Sequence, residues 1–237
     1  MARVKEDISI VCFLWNNFPN GNLSLSYQYV NKLYNAVKRN LTLPFRFFCF
    51  TDFTDLIDFS GFEKDIIFLP IDIEGKQNIK KMMMFKPNAG LTGRVLAIDL
   101  DTVIISNIDK FTTIDDLFVV RKAFKSKIRS TKHLRYIGGD FISFNVGFGA
   151  GLYYIAKNCL KWLEEKTNGS ERSIYNILLQ NIKISFWQDL FPGCFLSYKY
   201  NIIRNQKEES GKPYFISFHG KPKQHEVEHN LVKKNWI

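Results

Sequence analysis

Four apolar residues, 95–98, run without interruption into Asp99-Leu100-Asp101, inside the stretch RVLAIDLDTVIISNID at 94–109. An apolar run of that length, bounded by charge, predicts a strand buried on both faces of a parallel sheet. Similar runs predict further strands at 8–15, 45–50, 66–69, 118–120, 141–148 and 215–218. Helical spacing alternates with them. Val30, Leu33, Tyr34 and Val37 fall at i, i+3, i+4 and i+7, one apolar stripe. Ser24 is placed to cap that helix, and Lys38 and Arg39 suit its C-terminal dipole. A second helix is predicted over 78–85, where three methionines read as core filler and Gly90 and Gly93 end the segment. A third covers 150–165, with Ile155, Cys159 and Leu163 on one face, and a fourth covers 173–179. Gly138-Gly139-Asp140 reads as a turn into the strand at 141. Strand–helix–strand alternation predicts the α/β class: a single Rossmann-like domain with a mostly parallel central sheet flanked by helices.

The chain has 237 residues and 46% apolar composition, which suits one α/β domain with a large core. No apolar run approaches the length of a membrane span. Glu6 and Asp7 precede the first apolar run and no small-residue cleavage site follows, so this end reads as a strand rather than a signal peptide. Cys12, Cys49, Cys159 and Cys194 are scattered with no C-x-x-C spacing. They read as buried thiols of a cytoplasmic protein. A net charge of +10 suits nucleic acid, an anionic membrane surface or an anionic small substrate. No nucleic-acid-binding signature accompanies it, which excludes a nucleic-acid claim. The expectation left standing includes peripheral contact with an anionic membrane surface, without insertion. Arg121 to Arg135 holds seven cations and no acid, read either as a solvated loop or as a cationic flap over an anionic group.

Two carboxylates at the C-terminal end of a strand sit where ligands bind in open α/β sheets. In extended geometry Asp99 and Asp101 would share a face. Like charges that close call for a cation, and hard divalent ions take carboxylate oxygens. Lys81, on the preceding helix, can aim an ammonium at the same place. Thr51 and Asp52 close the second strand, where they either contact a base or ribose or merely open the next turn.

The segments KKMMMF (80–85) and GRVLAIDLDTVIISNID (93–109) together resemble the core of GT-A-fold glycosyltransferases, near the glycogenin and bacterial galactosyltransferase group. The stretch RNLTLPFRFFCFTD (39–52) is similar to that family's nucleoside-binding half. WQDLFPG (187–193) and FHGKPK (218–223) look like its closing motifs. The resemblance implies a nucleotide-binding half at 1–110, a sugar and acceptor half at 111–225 and a short tail at 226–237. It implies Mn²⁺ (or Mg²⁺) held by Asp99, Asp101 and His219. Thr51, Asp52, Lys81, Asp99, Asp101, Gly220 and Lys223 would bind a nucleotide-sugar donor, a UDP-sugar above all. Asp140, Asn145 and Asp189 are the catalytic candidates around the transferred sugar, and the acceptor would be a glycan or lipid-linked saccharide, as in polysaccharide biosynthesis. One departure stands out. Where relatives carry Gly-Asp-Gln, this chain reads Gly169-Ser170-Glu171-Arg172.

Two other readings fit parts of the sequence. Residues 98–103 match the box of haloacid-dehalogenase-type phosphatases, with a nucleophilic first aspartate. That box usually opens its domain, and Asp115-Asp116 lies too close to serve as that fold's metal loop. The Gly169–Arg172 departure also suits a protein that binds a nucleotide-sugar without transferring it.

Overall fold

The computed structural model describes residues 7–15, 23–52, 59–124, 137–205 and 211–237. The first half alternates strands and helices: β1 (Ile8–Leu14), α1 (Leu23–Asn40), β2 (Phe45–Thr51), β3 (Ile66–Pro70), the single turn α2 (Gln77–Lys80), then β4 (Arg94–Ile98) and β5 (Thr102–Ile104). The second half holds β6 (Phe118–Lys122), β7 (Ile137–Asn145), α3 (Ala150–Asn158), α4 (Leu160–Thr167), α5 (Glu171–Leu178), β8 (Ser185–Phe186), α6 (Trp187–Leu190), β9 (Phe195–Ser197), β10 (Phe215–Ser217) and α7 (Asn230–Asn235). The main sheet runs β3-β2-β1-β4-β7-β6-β8. Among these strands β7 is antiparallel to both neighbours, β4 and β6, and the other pairings are parallel. Thus β4 stands at the centre of a mixed, mostly parallel α/β sheet.

All five positions of β4 are buried. Leu96 and Ile98 join the core under α1, and Val95 and Ala97 join the core under the methionine segment and α3–α5. This two-sided burial is why the strand is written as an uninterrupted apolar run. Val30, Leu33, Tyr34 and Val37 are all buried, as the helical stripe requires, and so are Met82, Met83 and Met84.

Several elements differ from the sequence reading. The helix predicted over 78–85 is one α turn followed by a 3₁₀ segment, Lys81–Phe85. Every residue from Lys81 to Phe85 is buried. α1 begins at Leu23, so Ser24 lies inside it. The helix predicted over 150–165 breaks at Cys159 (φ −125°, ψ 35°), and Cys159 is exposed instead of sharing Leu163's buried face. Gly138-Gly139-Asp140 is not a turn but the start of β7. Its pairing jumps from Val120↔Ile142 to Arg121↔Gly138, a bulge that displaces Asp140 from the regular ladder. The strand at 215–218 lies in a second, small sheet, β5-β10-β9, which the apolar pattern did not reveal. Among the described residues no helix is long and apolar enough to cross a membrane.

Candidate active site

Backbone bonds fix the end of β4. The Asp99 N–H donates to the Asp140 carbonyl at 2.9 Å, and the Thr102 N–H donates to the Asp99 carbonyl at 3.0 Å. The second bond closes Asp99–Thr102 into a β-turn, so the extended geometry expected for Asp99-Leu100-Asp101 is not found. The carboxylates converge by another route. Leu100 is buried beneath the turn, the Phe218 N–H ties Asp101's carbonyl to the end of β10 at 2.9 Å, and both Asp99 and Asp101 face one cavity of about 740 Å³. Lys81, Arg121, Asp140, Glu171, His219 and Gly220 line the same space. A smaller adjoining cavity of about 250 Å³ shares Lys81, Asp99 and Asp101 and adds Phe13, Trp15 and Lys223.

Each acid in the larger cavity has a cation. The Lys81 ammonium donates to Asp99 Oδ1 at 2.6 Å and Oδ2 at 2.8 Å, and to Glu171 Oε2 at 3.0 Å. Tyr175 completes Glu171 by donating its hydroxyl to Oε1 at 2.9 Å. Lys223 Nζ donates to Asp101 Oδ2 at 2.9 Å, and Arg121 Nε to Asp140 Oδ1 at 2.5 Å. The two glycines of β7 make room for these partners. A Cβ on Gly138 would lie 2.6 Å from Arg121 Nη2, and one on Gly139 would lie 2.2 Å from Glu171 Oε2.

Burial pushes the Asp99 carboxyl up to about 6; Lys81 opposes the shift, while Asp101 and Asp140 add to it. Burial likewise raises Asp101 against the pull of Lys223, and brings Glu171 up to about 7 against the pull of Lys81. Burial by itself would lower Lys81, but Asp99 and Glu171 outweigh it and hold the ammonium charged. Burial would also raise Asp140, but Arg121 outweighs that and keeps the carboxyl below the usual range. His219 is lowered by burial and then by Arg121, which favours the neutral imidazole. Its Nε2 sits 2.7 Å from Ser197 Oγ, and its ring lies between Phe124 and Tyr200, at 5.5 and 5.2 Å.

The structure therefore brings together Lys81, Asp99, Asp101, Asp140, His219, Gly220 and Lys223 of the residues expected from sequence. Thr51 is buried at the end of β2, and Asp52 beside it pairs with Lys80 at 2.8 Å; neither lines the two cavities. Asn145 is a correction. It pairs with Arg94, at the opposite end of β4 from Asp99, and its Oδ1 accepts from Arg94 Nη1 at 3.2 Å. β7 runs antiparallel from Asp140, so five residues carry the chain the length of the sheet away from the site. Asp189 sits on α6 in an ion pair with Lys122, its side chain 57% exposed, and it lines neither cavity. Sequence reasoning named Glu171 only as part of the Gly169–Arg172 departure, counted Arg121 only within a cationic run, and passed over Tyr175. The signal available for Glu171 was its place just after Ser170, whose side chain caps α5, with a glycine pair upstream to receive it.

Among the described residues no three His, Cys, Asp or Glu side chains are gathered closely enough to hold a metal. The donor chemistry still fits a divalent cation at Asp99 and Asp101. Asp99, Asp101 and Asp140 crowd one space, where Asp140 raises the proton affinity of Asp99 and Asp101 and Asp101 raises that of Asp99, and an imidazole held toward its neutral form borders them. The expected triad differs from the structure in that Lys81 and Lys223 occupy carboxylate oxygens and His219 Nε2 faces Ser197.

No protein-family model and no curated protein sequence matches the chain. Solved structures do. A galactosyltransferase, LgtC, solved in complex with donor and acceptor sugar analogues, superposes with a TM-score of 0.66 at 11% identity, covering 96% of each chain. The glycosyltransferase GlyE of Streptococcus pneumoniae TIGR4 superposes with a TM-score of 0.63 at 12% identity, covering 96% of this chain and 58% of GlyE. With β4 central, β7 reversed beside it and the acidic turn at the strand end, this chain has the GT-A fold of those glycosyltransferases.

Proposed function

We propose that the chain is a metal-dependent glycosyltransferase that moves a sugar from a nucleotide-diphosphate sugar, a UDP-sugar, to a hydroxyl of a glycan or lipid-linked saccharide. The observation that carries this reading is the convergence of Asp99 and Asp101 with Lys81 and Lys223 on the cavity at the end of β4. A departing diphosphate gathers negative charge, and preorganised cations lower the energy of that charge as it develops. Lys81 and Lys223 are such cations, already aimed into the site. Mn²⁺ (or Mg²⁺), held by Asp99 and Asp101 with His219 alongside, would supply further positive charge there. Phe13 and Trp15, stacked on each other at 5.6 Å, give the smaller cavity an aromatic wall suited to a nucleobase. Asp140, kept ionised by Arg121, accepts hydrogen bonds from sugar hydroxyls and orients the sugar; it is not a proton donor. LgtC was solved with donor and acceptor sugar analogues, which supports the same pair of ligands here. The net charge of +10 suits an anionic acceptor or docking at an anionic membrane surface.

The test is thermal denaturation with UDP, GDP, dTDP and CMP, each with and without Mn²⁺. Ligands that bind the native state raise Tm. A Mn²⁺-dependent rise for UDP is expected, followed by UDP release from UDP-sugars. No rise with any nucleotide would overturn the reading. Binding without release, across UDP-sugars and acceptors, would leave a nucleotide-sugar-binding protein.

A further inference from the structure

Among the described residues, every charged side chain around the larger cavity but one is in an ion pair. Asp99 and Glu171 share Lys81, Asp101 has Lys223 and Asp140 has Arg121. Arg172 also lines this cavity, and it has no carboxylate partner among the described residues. Its Nε donates to the Ile137 carbonyl at 2.9 Å, which anchors the guanidinium at the cavity rim. The chain leading into Ile137 offers no counterion, because residues 125–136 contain no Asp or Glu.

The placement opposes local stability. Ser170 caps α5 by accepting from the Ser173 N–H, so Arg172 sits in the first turn of that helix. The positive end of a helix dipole favours acids and disfavours cations. Arg172 is exposed there, anchored at Nε and without a counterion among the described residues, so its terminal N–H groups are open to an anion entering the cavity. Arg172 borders the larger cavity but not the smaller one that holds Trp15 and Lys223, a position suited to the sugar end of a bound donor or to an acceptor rather than to the nucleoside. Ser170 and Ser173 flank it with hydroxyls suited to a sugar.

Resting on the nucleotide-sugar reading, we propose that Arg172 binds the carboxylate or phosphate of an acidic sugar lodged in the larger cavity. A guanidinium offers two parallel N–H donors to such a group, and Arg outperforms Lys for planar oxyanions. The acidic group belongs either to the acceptor or to the transferred sugar, and two arms separate these sources.

In the acceptor arm, methyl glucuronide, glucose 6-phosphate and methyl glucoside are titrated by calorimetry into the full chain, with and without UDP and Mn²⁺. In the donor arm, UDP-glucuronate is compared with UDP-glucose. The expected result is at least about tenfold tighter binding of an acidic ligand than of its neutral counterpart in one arm, lost in Arg172→Gln and partly restored in Arg172→Lys. Equal binding of acidic and neutral ligands in both arms, or a preference that survives Arg172→Gln, would overturn the proposal. Failure of UDP itself to bind would instead overturn the nucleotide-sugar reading, and the nucleotide-free titrations would still decide the role of Arg172.

Discussion

Lys81 donates to both carboxylate oxygens of Asp99 and to Glu171 Oε2, so one ammonium serves two carboxylates from different elements. Lys81 and Glu171 are nearly fully buried. Removing the shared cation would leave two acids without compensation in a desolvated place. Breaking a buried pair from one side costs about 3–5 kcal/mol. Lys81→Met is therefore expected to lose stability in that range by urea denaturation at pH 7. Adding Glu171→Gln should recover part of the loss, because the second buried charge disappears. A Lys81→Met variant as stable as the parent would show that the ammonium does not neutralise these acids.

Asp101 and Lys223 form a more accessible pair at 2.9 Å, with side chains 21% and 24% exposed. Changing either should cost less stability than removing Lys81, since this pair keeps more contact with solvent. Their effects should appear in ligand binding. Asp101→Asn is expected to reduce Mn²⁺-dependent turnover by about 10²-fold or more while Tm changes by only a few degrees. Lys223→Ala is expected to weaken UDP binding by about tenfold, the size of one lost charge-assisted contact. Full turnover in Asp101→Asn, or unchanged UDP affinity in Lys223→Ala, would remove that residue from the site.

The fold was legible where burial is two-sided or strictly periodic. β4 and the α1 stripe are written directly in apolar spacing. The short strands β5 and β9 were not, because three residues carry too little pattern to distinguish a strand from a loop. Gly138-Gly139 misled because glycine pairs usually mark turns, whereas here they clear space for Arg121 and Glu171 across a bulged strand. Of the residues that line the two cavities, Asp99, Asp101 and Lys81 were singled out by charge beside apolar runs, and Lys223 by the family resemblance of FHGKPK. Asn145 was misplaced because a strand's start decides which end of the sheet its residues reach. β7 begins four residues before the predicted 141, which puts Asp140 at the site and Asn145 at the far end. Glu171 was hidden because its partners, Lys81 and Gly139, lie 90 and 32 positions away in sequence.

The glycine at 139 yields a sharp test of that crowding. A methyl there would fall 2.2 Å from Glu171 Oε2, which Lys81 and Tyr175 hold in place. Overpacking of this kind costs about 1–3 kcal/mol. Gly139→Ala is expected to lose that much stability and to weaken UDP binding as Lys81 shifts. In a Glu171→Ala background the same methyl should cost far less than in the parent, because the clash is with that side chain. If Gly139→Ala costs as much in the Glu171→Ala background as in the parent, the methyl is clashing with something else.

Asp109 offers a pH test away from the cavity. Its Oδ1 accepts from the Thr42 N–H at 2.7 Å and its Oδ2 from the Thr42 hydroxyl at 2.5 Å, pinning the loop after α1 to the chain after β5. Burial would raise this carboxyl, but the Thr42 bonds outweigh it and hold the pKa below the ordinary value of 3.8. A carboxyl lowered in the folded state contributes stability that is complete above the unfolded pKa and fades as pH falls through the folded one. Asp109→Asn is thus expected to cost about 1–2 kcal/mol at pH 7, in line with hydrogen bonds to a charged acceptor. The gap between variant and parent should stay constant from pH 7 down to about 5 and narrow below the unfolded pKa, as the parent's carboxyl takes up its proton. Urea denaturation of both proteins across that range reads the gap directly. A gap that is the same at pH 3 as at pH 7 would mean that the ionised carboxylate is not what holds Thr42.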